Sequence, residues 1–171
     1  MATHIEQNNT LQSLLAQLAT GSFFDTTTQT TGVATEKAMK LNSTDPAATY
    51  DVAIVNDILG DPTLITVNQT GVYNIAFSAQ LHKTAGGGAT QIYIWFRVDG
   101  ADVADSNTTL TLANNGDLLV AAWNFYTKIN AGSNVQIMWQ ASAASIELLR
   151  NTTVAPLPAI PSVIATINRV R

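Results

Sequence analysis

The run Gly71-Val72-Tyr73-Asn74-Ile75-Ala76-Phe77-Ser78-Ala79-Gln80-Leu81 constrains this chain more than any other stretch. Behind its glycine, Tyr73, Ile75, Phe77, Ala79 and Leu81 recur at every second position. Successive side chains of an extended strand point to opposite faces. These residues therefore line one buried surface, while Asn74, Ser78 and Gln80 share the other. A chain with such a strand needs a partner layer to cover its apolar face, and the rest of the sequence supplies one.

From about Glu36 onward the chain reads as short strands between turn signals. The spacing predicts strands over Ala38–Leu41, Val52–Val55, Leu64–Val67, Thr90–Val98, Thr108–Leu112, Leu118–Ile129 and Val135–Ala141. Ser145–Leu149 is read as continuing the ribbon of 135–141, and Ser162–Val170 closes the series behind a connector held by Pro156, Pro158 and Pro161. Asp99-Gly100 is a tight-turn dipeptide. Regularly spaced strands with no alternating helices indicate a sandwich or jelly roll and exclude the doubly wound nucleotide-binding folds.

Residues 1–35 differ from 36–171. Leu11, Leu14, Leu15 and Leu18 form one stripe of a helix, with Asn9 or Thr10 as its cap and Gly21 as its stop. A helix of about three turns is marginal alone, so the stripe must pack on something. The Thr-rich run Asp25–Gly32 reads as an extended linker. The chain is thus divided into a tether, 1–35, and a β-domain, 36–171. Leu11, Leu14, Leu15 and Leu18, with Phe23 and Phe24 beyond them, are the candidate attachment residues.

Composition narrows the function classes. At 171 residues the chain can bury a real core, and with no cysteine it stands on packing alone. Only 12% of residues are charged, about half the usual share, and Asn, Thr, Ser and Gln supply the polar surface. Such a face is easier to desolvate than one of Lys and Glu, because no full charge leaves water. The net charge of −4, without a basic run, argues against a nucleic-acid partner. No continuous apolar segment follows a basic start, so neither a signal peptide nor a membrane span is expected.

Two strands are apolar on both faces. On one, Ile92, Ile94 and Phe96 alternate with Tyr93 and Trp95; on the other, Ala121, Trp123 and Phe125 alternate with Ala122, Asn124 and Tyr126. A sandwich needs one apolar face per strand, so the second face is expected to meet another subunit. Tyr93, Trp95, Trp123, Tyr126 and Trp139 are the candidate contact residues, although strand parity alone does not say which face is inside.

Several segments together resemble a known family. Gly71-Val72-Tyr73-Asn74-Ile75-Ala76-Phe77 is similar to the Gly-x-Tyr-x-(apolar)-x-Phe signature of the complement globular-head and tumour-necrosis-factor-like jelly rolls. Asn74–Leu81, Ile94–Arg97, Val120–Phe125 and Pro158–Val163 are closer still to the versions of that domain in tailed-phage virion proteins. The likeness spans about 36–171. It implies an all-β, ten-strand jelly roll assembled as a homotrimer, without enzymatic activity. In phages such domains are capsid decoration proteins, head fibres, or parts of neck and tail fibres. Animal members often carry a collagen-like stalk or signal anchor, whereas this chain has a leucine-striped segment and a Thr-rich run. That departure favours a viral building block.

Catalytic chemistry has little to work with. The two histidines, His4 and His82, cannot build a usual zinc site without cysteine. No Gly-x-Ser-x-Gly elbow accompanies His82, and Gly86-Gly87-Gly88 lacks the Lys-Ser/Thr of a phosphate cradle. Asp99, Asp102 and Asp105 could offer oxygen ligands, but their spacing is not that of a calcium loop. No cofactor or metal is expected. The resulting expectation is a homotrimeric virion protein, bound through its N-terminal segment to the major capsid protein or another virion component. It would serve as capsid decoration or a head fibre. The alternative is a receptor- or glycan-binding knob of a tail or neck fibre, with specificity in the loops Lys83–Ala89 and Ala113–Asp117.

Overall fold

The computed structural model describes residues 18–152 and 155–171. They form the strands β1 (Thr20–Asp25), β2 (Gln29–Thr30), β3 (Lys37–Ala38), β4 (Ser43–Thr44), β5 (Val52–Asn56), β6 (Pro62–Val67) and β7 (Gly71–Lys83). The series continues with β8 (Thr90–Val98), β9 (Ala101–Asp102), β10 (Thr108–Leu112), β11 (Leu118–Ile129), β12 (Asn134–Ala141), β13 (Ile146–Leu148) and β14 (Val163–Arg169). No helix occurs among the described residues.

Two seven-stranded antiparallel sheets result. The first is organised on β7. His82 pairs with both Leu118 and Glu147, and Phe77 with both Trp123 and Ala165. One edge of β7 is therefore covered by β11 along its length, and the other by β13 and β14 end to end. β1 and β4 continue outward from β14, and β2 from β13. The second sheet runs β10-β8-β12-β6-β5, with β9 on β8 and β3 on β12.

The core lies between the sheets. Tyr73, Ile75, Phe77, Ala79 and Leu81 face Ile92, Ile94 and Phe96 of β8 and Val135, Ile137 and Trp139 of β12, all buried. Phe77 and Phe96 meet edge to face with centroids 5.9 Å apart, and Phe125 stacks on Phe96 at 5.2 Å. Such aromatic pairs add about 0.5–1.5 kcal/mol beyond the area they bury. The Tyr73 hydroxyl donates to the Gln69 carbonyl at 2.6 Å, which satisfies the polar atom of this inward ring.

The structure redraws the division at residue 35. β1 pairs with β14 from Thr20↔Asn168 to Asp25↔Val163, and Phe23 is fully buried. The segment read as a linker is tied into the domain. Asp25 Oδ1 accepts from the Thr27 amide and hydroxyl at 2.5 and 2.6 Å, and the Gln29 side chain bonds both to the Lys40 carbonyl and from its amide. Alternation in Thr20–Asp25 is masked in the sequence by Gly21 and by the polar Asp25, both of which face inward. The β-domain therefore begins by Thr20, and Gly21 ends no helix but sits in β1. The helix expected over Leu11, Leu14 and Leu15 lies outside the described residues. A second revision concerns β13, which joins the first sheet rather than extending β12 in the second.

Gly71 earns its place by close approach. A Cβ there would stand 2.5 Å from the Arg171 carbonyl and against the Arg169 side chain. Because one obstacle is backbone, Gly71→Ala is expected to destabilise the fold by about 1–3 kcal/mol, read from chemical denaturation.

Candidate assembly face

The outward face of the first sheet is built by the same alternation that builds the core. Opposite the inward row of β7 stand Asn74, Ala76, Ser78 and Gln80. In register beside them come Tyr126, Asn124, Ala122 and Val120 of β11, and Asn168, Thr166 and Ile164 of β14. From Val120 to Tyr126 this face carries no formal charge. Lys128 lies at one end, and at the other His82 Nδ1 meets Glu147 Oε1 at 2.8 Å. Leu118, Val120 and Tyr126 are 67%, 53% and 58% exposed, and Ile164 is exposed beside them.

Polar groups here largely satisfy one another. Asn124 Nδ2 donates to Asn74 Oδ1 at 3.0 Å, and Asn74 Nδ2 to Asn168 Oδ1 at 3.3 Å, a chain of amides across three strands. Amides already paired lose less when water is removed than free ones would. Where β11 meets Leu149 and Ile160, a dent of about 140 Å³ is lined by these two with Gln80, Leu118, Leu119 and Val120.

A second apolar surface flanks this face. Among the described residues β11 pairs only with β7, so its other edge is open. Trp123 and Phe125 point inward from it, yet they are only partly buried, because β11 is the last strand of its sheet. Trp123 packs edge to face on Phe77 at 4.6 Å. The mouth of the sandwich is thus rimmed by aromatic rings.

These placements separate the residues nominated from sequence. Tyr126 is on the outward face and Trp123 at the mouth beside it. Tyr93 and Trp95 face outward from the opposite sheet, and Trp139 is 0% exposed in the core, where it meets no surface. Of the attachment residues, Leu11, Leu14 and Leu15 lie outside the described residues. Leu18 is exposed, Phe24 is half-buried on the outward side of β1, and Phe23 belongs to the core. Val120, Leu118 and Ile164 join Tyr126 on this face, and the alternation of Leu118–Tyr126 carries the signal for the first two.

The remaining polar candidates have local duties. Asp99, with φ of 47°, and Gly100, with φ of 80°, form the β8–β9 turn, and Asp99 Oδ1 accepts from the Asn134 amide at 2.9 Å. Asp102 bonds to Arg97 and Trp95. Among the described residues no group of three or more His, Cys, Asp or Glu could hold a metal ion. The buried Lys83 ammonium donates to the carbonyls of Gly88 and, at 3.2 Å, Ala113. It ties the two candidate binding loops into one tip.

No protein-family model and no curated protein sequence matches the chain. Solved structures do. The Eiger TNF of S. frugiperda superposes with a TM-score of 0.58 at 11% identity, covering 91% of this chain and 94% of that one. Murine APRIL gives a TM-score of 0.50 at 7% identity, covering 90% and 99%. The globular domain of zebrafish complement 1qA protein gives 0.48 at 13% identity, covering 90% and 98%.

Proposed function

We propose that this TNF/C1q-like jelly roll is a non-enzymatic structural protein of a virion. In this reading it assembles as a homotrimer through the outward face of its first sheet and is attached by the segment preceding β1. The observation that carries the assembly is the uncharged face from Val120 to Tyr126 beside the aromatic mouth at Trp123 and Phe125. These are two different apolar surfaces on one chain. A contact that sets the mouth of one copy against the face of the next is heterologous, and a heterologous contact closes into a ring when its rotation allows. The near absence of charge removes the desolvation cost that usually keeps such faces apart. Support for the virion setting comes from the segments that resemble phage virion domains and from the leucine-striped residues ahead of β1. The partner would be the major capsid protein or another virion component.

The test is incorporation. Full-length protein and a form lacking residues 1–17 are offered to particles that lack the protein. The full chain is expected to bind particles and the truncated form to remain free at unchanged oligomeric mass. If the truncated form binds equally well, attachment through the N-terminal segment is wrong. If neither binds, the virion assignment falls.

A further inference from the structure

The outward face of the second sheet holds a groove of about 420 Å³, lined by Glu36, Tyr93, Trp95, Asp102, Asn107 and Gln140. It differs in kind from the assembly face. Tyr93 and Trp95 are two residues apart on β8, so they stand side by side about 7 Å apart. Gln140 of β12 and Thr109 of β10 flank Tyr93 in register.

Both rings are half-buried, and the polar atom of each is tied in. The Tyr93 hydroxyl donates to Gln91 Oε1 at 2.7 Å, and Trp95 Nε1 donates to Asp102 Oδ1 at 2.8 Å. With their edges engaged, what these rings offer a ligand is their faces. Arg97 Nε donates to Asp102 Oδ1 at 2.7 Å, and its Nη2 donates to Glu36 Oε2 at 2.8 Å. The guanidinium is thereby committed to two carboxylates, which keep further lone pairs for incoming hydroxyls. Hydrogen bonds from Arg97 first, then Trp95, hold the Asp102 carboxyl below its ordinary value, so it is an ionised acceptor at neutral pH.

We propose that this groove binds a neutral oligosaccharide, with sugar rings lying against Tyr93 and Trp95 and hydroxyls bonded by Asp102, Glu36, Asn107 and Gln140. A pyranose has an apolar C–H face and a rim of hydroxyls, which matches an aromatic floor bordered by carboxylates and amides. Two rings at two-residue spacing suit consecutive sugars of an extended chain. A purely apolar ligand would strip water from the carboxylate lone pairs that Arg97 and Trp95 leave free. An acidic sugar would meet Glu36 and Asp102, whose cation is already committed. A quaternary ammonium would find both carboxylates already bonded to the Arg97 guanidinium. The groove lies on the sheet opposite the face proposed for assembly, so that contact leaves it open and it stands whether or not the trimer does. It is also separate from the loop tip tied by Lys83.

The full-length protein is applied to an array of neutral oligosaccharides and their sialylated counterparts, and hits are titrated in solution by calorimetry, with choline as a cationic probe. Binding to at least one neutral oligosaccharide is expected, with its sialylated form about tenfold weaker or worse. Trp95→Ala is expected to weaken binding by at least about tenfold and Asp102→Asn by less, while Trp95→Phe retains part of it. Circular dichroism checks that each variant is folded. Three results would each overturn the proposal: no neutral oligosaccharide bound, choline bound in their place, or binding undiminished in folded Trp95→Ala.

Discussion

Val120→Asp combined with Tyr126→Asp is expected to convert the proposed oligomer into folded monomers. Both side chains are more than half exposed in the single chain, so the substitutions remove little from the core and thermal unfolding of the monomer shifts only slightly. In the assembly the carboxylate introduced at position 120 would have to leave water against an apolar surface with no cation beside it, whereas the one at position 126 stands one same-face position from Lys128. The effective penalty for an uncompensated charge is several kcal/mol per ion. It recurs at every subunit contact. Association should therefore weaken by at least about a thousandfold, seen as a monomeric boundary in sedimentation velocity at concentrations where the parent chain is assembled. The control is Thr111→Asp on β10, in the other sheet, which should leave the mass unchanged. Persistence of the oligomer in the double variant would mean that a different surface holds it.

A pair of truncations gives the second large effect. Removal of residues 1–17 leaves every strand pairing described above in place and should preserve the folded β-domain. Removal of 1–35 takes away β1 and β2, strips the edge of β14 from Asn168 to Val163, and deletes the buried Ala19 and Phe23. Loss of a buried phenylalanine side chain alone costs about 3–5 kcal/mol, against a total stability of about 5–15 kcal/mol for a domain. The longer truncation should be unfolded or aggregated by circular dichroism and solubility. A cooperative, soluble 36–171 fragment would show that β1 is an accessory rather than part of the fold.

The contrast between these truncations shows where the sequence was legible. The alternation predicts the limits of β8, β10 and β11, and in β7 it also gives the buried face. In β7 one choice repeats, apolar inward and small or neutral polar outward. β1 was not legible because its inward positions include Gly21 and Asp25. The first is demanded by the Phe23 ring and Ile167, which fill the space a Cβ would take, and the second caps a turn through Thr27. Both reasons are tertiary or local geometry rather than periodicity. β13 was misplaced for a related reason: a strand of three residues has too little pattern to choose its sheet, and Ile146 and Leu148 find their burial against β7.

The assembly face was half legible. The row Leu118, Val120, Ala122, Asn124 and Tyr126 at every second position of β11 was present in the sequence, but so were the equally apolar pair of Tyr93 with Trp95 and the ring of Trp139. Three dimensions separate them. Trp139 fills the space between the sheets, Tyr93 and Trp95 floor a polar-rimmed groove, and only the β11 set lies on an uncharged expanse next to an open edge. Which rings lie together, and whether charges interrupt them, is decided by strand neighbours far away in sequence.

The central claim is self-assembly of the β-domain, and the most direct measurement is the mass of the unmodified full-length protein in solution by light scattering across a concentration series. The account predicts three times the chain's 18.2 kDa, held down to micromolar concentration. A mass of one chain at that concentration would contradict it.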